Sequence, residues 1–233
     1  MTPARVVAAC GLAAAVAACA GRPAADPLAV RQFAAVAFSA EMGGAGREGH
    51  LVKWTRAPAV AVTGLDAERY RPRVRQRLRR LKAVTGLDLR LAPPGGRDAR
   101  LRVLFLPPAA VRAASGAPAP CYVTVDSRAG VIRRATVRIA PRSPALVGHC
   151  LAEELTQAMG LLDDSPLDRT AIFYEGSRRT TLSRRDRLML RLLYHPALKP
   201  GMTRARAMPV VRRLVAEGVQ RRDVVAGGFP GRP

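Results

Sequence analysis

Oxygen-bearing side chains are concentrated between residues 153 and 163, at Glu153, Glu154, Gln157 and Asp163. Carboxylate and amide oxygens suit hard divalent cations, whereas zinc prefers the nitrogen of His and the sulfur of Cys. A carboxylate in a water-poor environment can instead act as a general base. The segment therefore predicts a metal site with oxygen ligands, a base for hydrolysis, or a network of structural hydrogen bonds.

A helix over residues 144–159 is predicted to carry most of these side chains. Ser143 is a favourable N-cap, and Pro144 suits the first helical turn. Gly160 is typical of the residue that ends a helix in the left-handed conformation. The helix is therefore expected to hold Glu153, Glu154 and Gln157 in a fixed arrangement.

The carboxylate of Glu154 is the best single candidate for a functional group. Successive helical residues are rotated by about 100°, which places Glu154 within an apolar stripe predicted to face a sheet. That stripe consists of Val147, Cys150, Leu151, Leu155 and Ala158. His149 and Thr156 are predicted to lie further round the helix, toward solvent. An ionised carboxylate in an apolar face is costly unless it is paired, hydrogen-bonded or bound to a metal.

The segment resembles the zinc-binding helix of the metzincins, metallopeptidases with the pattern HExxHxxGxx followed by His or Asp. Glu154 and Gly160 match the Glu and the Gly of that pattern, and Asp163 matches its last ligand. Glu153 and Gln157 replace the two His ligands of the helix. The resemblance implies a zincin-like fold in which Glu154 would be the catalytic residue of an active enzyme. It also implies that Glu153, Gln157 and Asp163 would be the metal ligands.

A longer resemblance, from about residue 36 to residue 217, is to an uncharacterised family of exported bacterial proteins. Its members are similar to this chain at Lys53-Trp54, at residues 150–157 and at residues 193–202. This resemblance implies a fold but no activity.

Two functional hypotheses follow from these resemblances. In the first, the protein is a non-catalytic, degenerate zincin-like module that binds a peptide or an envelope polymer along the strand predicted at Val131–Ile139, which is expected to be an edge of the sheet. In the second, it is an active metallohydrolase or peptidase with an atypical Glu, Gln and Asp site. A divalent metal ion is the only cofactor candidate, and the first hypothesis needs none.

The elements that position the helix are predicted to form a single α+β domain with one mixed sheet and helices packed on it. Strands are predicted at residues 51–62, 87–91 and 101–106, followed by a hairpin of residues 121–125 and 131–139. Further helices are predicted at residues 30–42, 66–84 and 183–194, and within 203–217.

Two Cys residues, Cys121 and Cys150, fall within the predicted domain. In an exported protein such a pair is typical of a disulfide bond, which would join the hairpin to the helix. The alternative is a pair of buried thiols.

The start of the chain predicts export. Arg5 precedes an apolar run over residues 6–18, which is shorter than the roughly 20 residues that span a bilayer. The alternatives are a lipoprotein signal, because Val16-Ala17-Ala18-Cys19 resembles a lipobox, and an ordinary signal peptide cut near Ala17. The lipobox implies a lipidated Cys19, and Ala20 after it implies an outer-membrane anchor with the protein facing the periplasm. The chain would then comprise a signal peptide (1–18), a tether (19–35), the domain (36–217) and a loose tail (218–233).

The chain is strongly basic, with a formal net charge of +22. The basic residues are spread along the sequence, and aromatic residues make up only 4% of it. A nucleic-acid site combines a compact basic patch with aromatic side chains, so no nucleic-acid partner is predicted. Anionic lipid headgroups or acidic envelope polymers are the expected neighbours. Neither a glycine-rich phosphate loop nor a GxSxG motif is present in the sequence.

Overall fold

A five-stranded sheet forms the centre of the computed structural model, which describes residues 25–38, 49–94, 96 and 98–219. Its strands are β1 (Ala59–Gly64), β2 (Arg90–Leu91), β3 (Leu101–Phe105), β4 (Cys121–Arg128) and β5 (Val131–Ile139). They lie in the spatial order β2-β1-β3-β5-β4. Four of them are parallel, and β4 runs antiparallel to β5 at one edge. The mixed sheet predicted from the sequence is therefore confirmed.

The β4–β5 hairpin turns at Ala129 and Gly130, which have φ angles of 50° and 76°. Two residues with positive φ suit a tight hairpin, and the predicted hairpin is confirmed. The prediction that Val131–Ile139 is a sheet edge available for docking is wrong, because β5 lies between β3 and β4. The edge on this side of the sheet is β4.

Six helices accompany the sheet in the part of the chain that the structure describes. They are α1 (Pro27–Phe38), α2 (Ala67–Thr85), α3 (Pro108–Ser115), α4 (Pro144–Gln157), α5 (Arg184–Tyr194) and α6 (Arg204–Glu217). Helix α4 packs against β4, β5 and α2, and α1 packs against α5 and α6. Residues 27–35, predicted as a tether, are thus helical, and several of them belong to the common core. No helix among the described residues has the length and apolar character needed to cross a bilayer.

The first predicted strand joins the sheet later than expected, at Ala59 instead of residue 51. Before it, Lys53 makes an isolated bridge to Val131, and His50 makes one to Thr203. The alternating apolar residues of this segment are buried, although the segment is not part of a continuous ladder. Alternation of apolar and polar residues indicates that an extended segment is buried on one side, but a buried extended segment need not pair with a strand.

Two other elements differ from the sequence prediction. The strand predicted at 87–91 is limited to Arg90–Leu91. Helix α3 was not predicted, because Val111 is its only buried residue and gives no apolar stripe. The end of α2 agrees with the prediction, since Gly86 has a φ of 75° and its N–H donates to the carbonyl of Lys82.

A single large apolar core joins the helices to the sheet in the described residues. Its largest fully buried side chains include Phe33, Trp54, Phe105, Phe173 and Tyr194. These residues come from α1, from the segment before β1, from β3, from the loop before α5 and from α5 itself. The predicted single-domain α+β class is therefore confirmed.

Candidate functional site

Helix α4 supplies the candidate site, and its start is fixed as the sequence predicts. The Ser143 hydroxyl accepts a hydrogen bond from the Leu146 N–H at 3.2 Å, and Pro144 occupies the first turn. The helix ends at Gln157, two residues earlier than predicted, and Ala158 to Gly160 form turns. Since α4 packs on β4 and β5, its side chains are held against the edge of the sheet.

A disulfide bond joins Cys121 at the start of β4 to Cys150 in the middle of α4. Their Cα atoms are 5.9 Å apart. The predicted disulfide is confirmed, and the alternative of two buried thiols is excluded. The bond links α4 covalently to the edge strand β4, next to the carboxylates of Glu153 and Glu154.

The carboxylates of Glu153 and Glu154 lie next to this disulfide. Glu154 is only 4% exposed, which agrees with its predicted position in the apolar stripe. One oxygen of each carboxylate and the sulfur of Cys121 lie within 4.8 Å of one another. No other group of three His, Cys, Asp or Glu ligand atoms is so close together in the described chain. The sulfur in this group belongs to a disulfide, and a metal ligand would have to be a thiolate.

His149 lies in a different place from that predicted. It was expected to face solvent, but it is 7% exposed. Its Nε2 is 3.1 Å from an oxygen of Glu153, and its Nδ1 is 3.0 Å from the carbonyl oxygen of Arg179. The hydrogen bond that His149 donates to Glu153 raises the pKa of His149 above its ordinary value, because it favours the charged imidazolium. Thr156, also expected toward solvent, is fully buried and donates to the carbonyl of Ala152 at 2.6 Å.

The segment of residues 177–182, between the site helix and α5, explains why the prediction for His149 failed. Besides the contact with His149, this segment is held by Arg77 of α2, whose Nη2 donates to the carbonyl of Thr180 at 2.6 Å. A helical wheel identifies the face that meets a regular partner, but it cannot show that an irregular segment covers a second face. Helix α4 is therefore buried on more sides than its apolar stripe indicates.

The other predicted ligands have separate partners. The Gln157 amide nitrogen donates to a carboxylate oxygen of Asp164 at 3.1 Å. An oxygen of Asp163 accepts the backbone N–H of Asp164 at 2.9 Å. Asp163 is not in the one cluster that contains Glu153, so the structure does not bring these two carboxylates into a common group of three.

The C-terminal end of α4 is fixed by two aromatic side chains that donate hydrogen bonds to it. The indole Nε1 of Trp54 donates to the carbonyl of Ala158 at 2.9 Å. The hydroxyl of Tyr194 donates to the carbonyl of Met159 at 2.8 Å. Both side chains are buried, so these carbonyls are satisfied without water.

Close backbone approach also requires glycine at this end. Gly160 has a φ of 113°, and a Cβ atom there would lie 2.0 Å from the Val52 carbonyl oxygen. Lys53, the residue after Val52, has a buried ammonium group that donates to the carbonyls of Leu193 and Leu198. Burial lowers the pKa of Lys53 to about 7, and repulsion from Lys199 adds to this effect. Sequence reasoning identified Lys53 only as a point of resemblance and missed its role in ending α5.

Comparison with known proteins gives one positive result. No curated protein matches the chain. A family model described as "Protein of unknown function (DUF2927)" matches residues 28–213, which include every described strand and all of α2 to α5. The match agrees with the resemblance to an uncharacterised family noted from the sequence. This chain belongs to the DUF2927 family.

Proposed function

We propose that the protein is an exported lipoprotein whose degenerate zincin-like domain binds an extended acidic peptide, or a similar anionic envelope polymer, without cleaving it. The observation that carries the proposal is the outer edge of β4, which has no strand neighbour among the described residues. Backbone N–H and C=O groups on such an edge can pair with an added strand.

The charge of the β4–β5 hairpin supports an acidic partner. Arg128, Arg133, Arg134 and Arg138 lie on these two strands, and Asp126 is their only acidic residue. Since Asp126 stands opposite Arg134 in the ladder, most of the positive charge on the hairpin has no counter-charge within it. Such a surface attracts anionic segments and disfavours basic ones.

The partners of the α4 side chains support binding without hydrolysis. Glu153 and Gln157 stand where the metzincin pattern has its two helical His ligands. Glu153 is paired with His149, and the amide of Gln157 is directed at Asp164. Zinc favours His and Cys, and a neutral amide is a poor ligand for it. A glutamate at this position of the metzincin pattern acts as a base on a metal-bound water, and without zinc ligands Glu154 would have no such water to deprotonate.

The zincin-like assignment is supported by the arrangement of elements around α4. The helix that carries Glu154 follows β5 directly and packs on a mixed sheet. The next helix, α5, ends at Tyr194, and its last two residues, Leu193 and Tyr194, are similar to the Leu-Tyr that often ends the last helix of metzincins. We therefore treat the domain as a zincin-like frame whose helix retains the Glu but not the His ligands.

The proposed lipid anchor rests on Cys19, which lies outside the described residues. The disulfide between Cys121 and Cys150 supports an oxidising compartment, because such bonds are rare in the reducing cytosol. The test is labelling with a fatty acid in a bacterial host: wild type should be labelled and sediment with membranes, and Cys19→Ser should be unlabelled and soluble. A soluble, unlabelled wild type would exclude the anchor.

Binding is tested by fluorescence anisotropy with extended peptides of equal length that are acidic, neutral or basic. We expect the acidic peptide to bind wild type and to remain intact by mass spectrometry. Arg134→Glu with Arg138→Glu should abolish binding, and Arg212→Glu, an exposed charge reversal on α6, should preserve most of it. Equal losses in both variants would show general attraction to a basic protein, and cleavage of the peptide would favour the active metallohydrolase.

A further inference from the structure

A cavity of about 290 Å³ lies between α2, the first half of α4 and residues 180–181. Its polar wall is formed by Arg73, Gln76, Arg77, Arg80, Thr180 and Thr181. No acidic residue lines it. All of these side chains are hydrogen-bond donors, so the cavity presents positive charge and donors to whatever enters it.

Helical spacing brings the three guanidinium groups together. Arg77 and Arg80 follow Arg73 by four and seven residues, which places all three on one face of α2. No ion pair joins any of them to a carboxylate in the described part of the chain. Like charges on one helix face repel each other, so this arrangement destabilises the protein when no anion is bound.

Arg77 is the central residue of the cluster. It is 8% exposed, and its Nη2 donates to the carbonyl of Thr180 at 2.6 Å and to that of Gly148 at 3.5 Å. Its Nη1 is buried and has no hydrogen-bond partner. Burial, with repulsion from Arg80, lowers the pKa of Arg77 to about 10. A buried guanidinium without a carboxylate partner is costly, and an anion in the cavity that Arg77 lines would offset part of that cost.

We propose that this arginine cavity binds a phosphate-type oxyanion, either free phosphate or the phosphoryl group of a lipid head. Guanidinium groups match the oxygens of a phosphate in paired hydrogen bonds. The charge of three guanidinium groups is neutralised more completely by a phosphate dianion than by the single negative charge of a carboxylate. The threonine hydroxyls and the Gln76 amide supply neutral donors from two elements. None of these residues belongs to the carboxylate cluster or to β4, so this inference does not depend on the proposed peptide site.

The first experiment is a calorimetric titration of the full-length protein with inorganic phosphate, at constant ionic strength maintained with chloride. We expect saturable binding by wild type, and binding at least about tenfold weaker in Arg73→Gln with Arg80→Gln, because each lost charged hydrogen bond costs affinity. Both residues are exposed, so the fold should survive. Arg79→Gln, an exposed arginine of α2 outside the cavity, is the control and should bind as wild type does.

Vesicle co-sedimentation separates the two sources of phosphate. Vesicles of phosphatidylcholine with phosphatidic acid are compared with vesicles of phosphatidylcholine alone. Binding to phosphatidic acid that weakens in the double variant but not in Arg79→Gln identifies the lipid head, and phosphate binding alone identifies the free ion. The proposal is overturned if phosphate does not saturate, or if Arg79→Gln weakens both kinds of binding as much as the double variant does.

Discussion

The two ends of helix α4 differ in how their polar groups are satisfied. At the C-terminal end, Trp54 and Tyr194 donate to the carbonyls of Ala158 and Met159, and all four groups are buried. At the N-terminal end, Arg77 keeps a buried donor without a partner, and other arginines line the same cavity. Folding uses the polar groups of the first end, whereas the second has more donors than folding needs. This arginine-rich end is where we propose that an oxyanion binds.

The largest effect is expected at the C-terminal end, from Trp54→Ala. The change leaves a large cavity in the core and removes the donor to Ala158, so we expect a loss of about 3–5 kcal/mol in the free energy of unfolding. Trp54→Phe, which mainly removes the hydrogen bond, should cost about 1–2 kcal/mol. Denaturant unfolding measures both. A loss below about 1 kcal/mol for Trp54→Ala would show that the end is not held in this way.

The next largest effect is expected in the middle of the helix, from removal of the disulfide. Cys121 and Cys150 are separated by 29 residues, and the chain-entropy model gives about 3.5 kcal/mol for a loop of this size. Cys121→Ala with Cys150→Ala should lower the free energy of unfolding by that amount. Thiol counting on the denatured, non-reduced wild type provides the control and should detect neither Cys. Two reactive thiols from these positions would contradict the structure.

A smaller effect is expected at Glu154, which lies one helical turn after Cys150, closer to the C-terminal end of α4. If its carboxylate is a structural hydrogen-bonding group, Glu154→Leu should destabilise the protein by about 1–3 kcal/mol, and Glu154→Gln should change stability little. Thermal melts of both variants, with a peptidase screen on wild type, distinguish this role from that of a catalytic base. A fully stable Glu154→Leu protein would mean that the side chain contributes nothing to the fold.

The sequence predicts regular elements and one-sided burial well, and it fails where irregular segments make contacts. Periodicity and capping residues locate α2, α4 and α5 and place Glu154 in a buried stripe. They cannot show that residues 177–182 cover His149, because those contacts come from a loop with no periodic pattern. The spatial order of strands is likewise absent from local patterns, so the sequence predicts an edge at β5 although the edge of the sheet is β4.

A further limit concerns the arginines of α2. Their spacing is visible in the sequence, but a helix with arginine at most exposed positions gives no reason to select three of them. Only the position of α4 and of residues 180–181 shows that Arg73, Arg77 and Arg80 share a cavity. Function that depends on two elements far apart in sequence could not be predicted from either alone.

The pH dependence of stability sharpens the comparison near the middle of α4. Glu153 raises the pKa of His149 above 6.5, so their pairing stabilises the fold fully below about pH 6.5. That contribution is lost as the pH rises through the raised pKa. The difference in unfolding free energy between wild type and Glu153→Gln should therefore shrink as the pH rises from about 6.5 through the raised pKa of His149. His149→Gln should remove this trend, and a difference that does not vary with pH would contradict the pairing.

The smallest effect is expected at the N-terminal end, from Arg73→Ala. This exposed residue donates to the Pro144 carbonyl at 3.1 Å, and it adds to the positive charge of the cavity. Loss of the hydrogen bond and relief of repulsion should nearly cancel, leaving a change within about 0.5 kcal/mol. Thermal melts of Arg73→Ala measure this change. When the melts are repeated in phosphate, the anion should stabilise Arg73→Ala less than it stabilises wild type. A loss as large as that of Trp54→Ala would remove the difference between the two ends.

The metal content of the purified protein tests most directly the claim that the carboxylates of α4 do not form a catalytic metal centre. Wild type and Glu154→Gln would each be incubated with zinc, calcium and manganese, passed through gel filtration and measured by elemental analysis. The account predicts that both proteins retain far less than one equivalent of any of these ions. One equivalent retained by wild type and lost from Glu154→Gln would contradict it and establish α4 as a metal-binding helix.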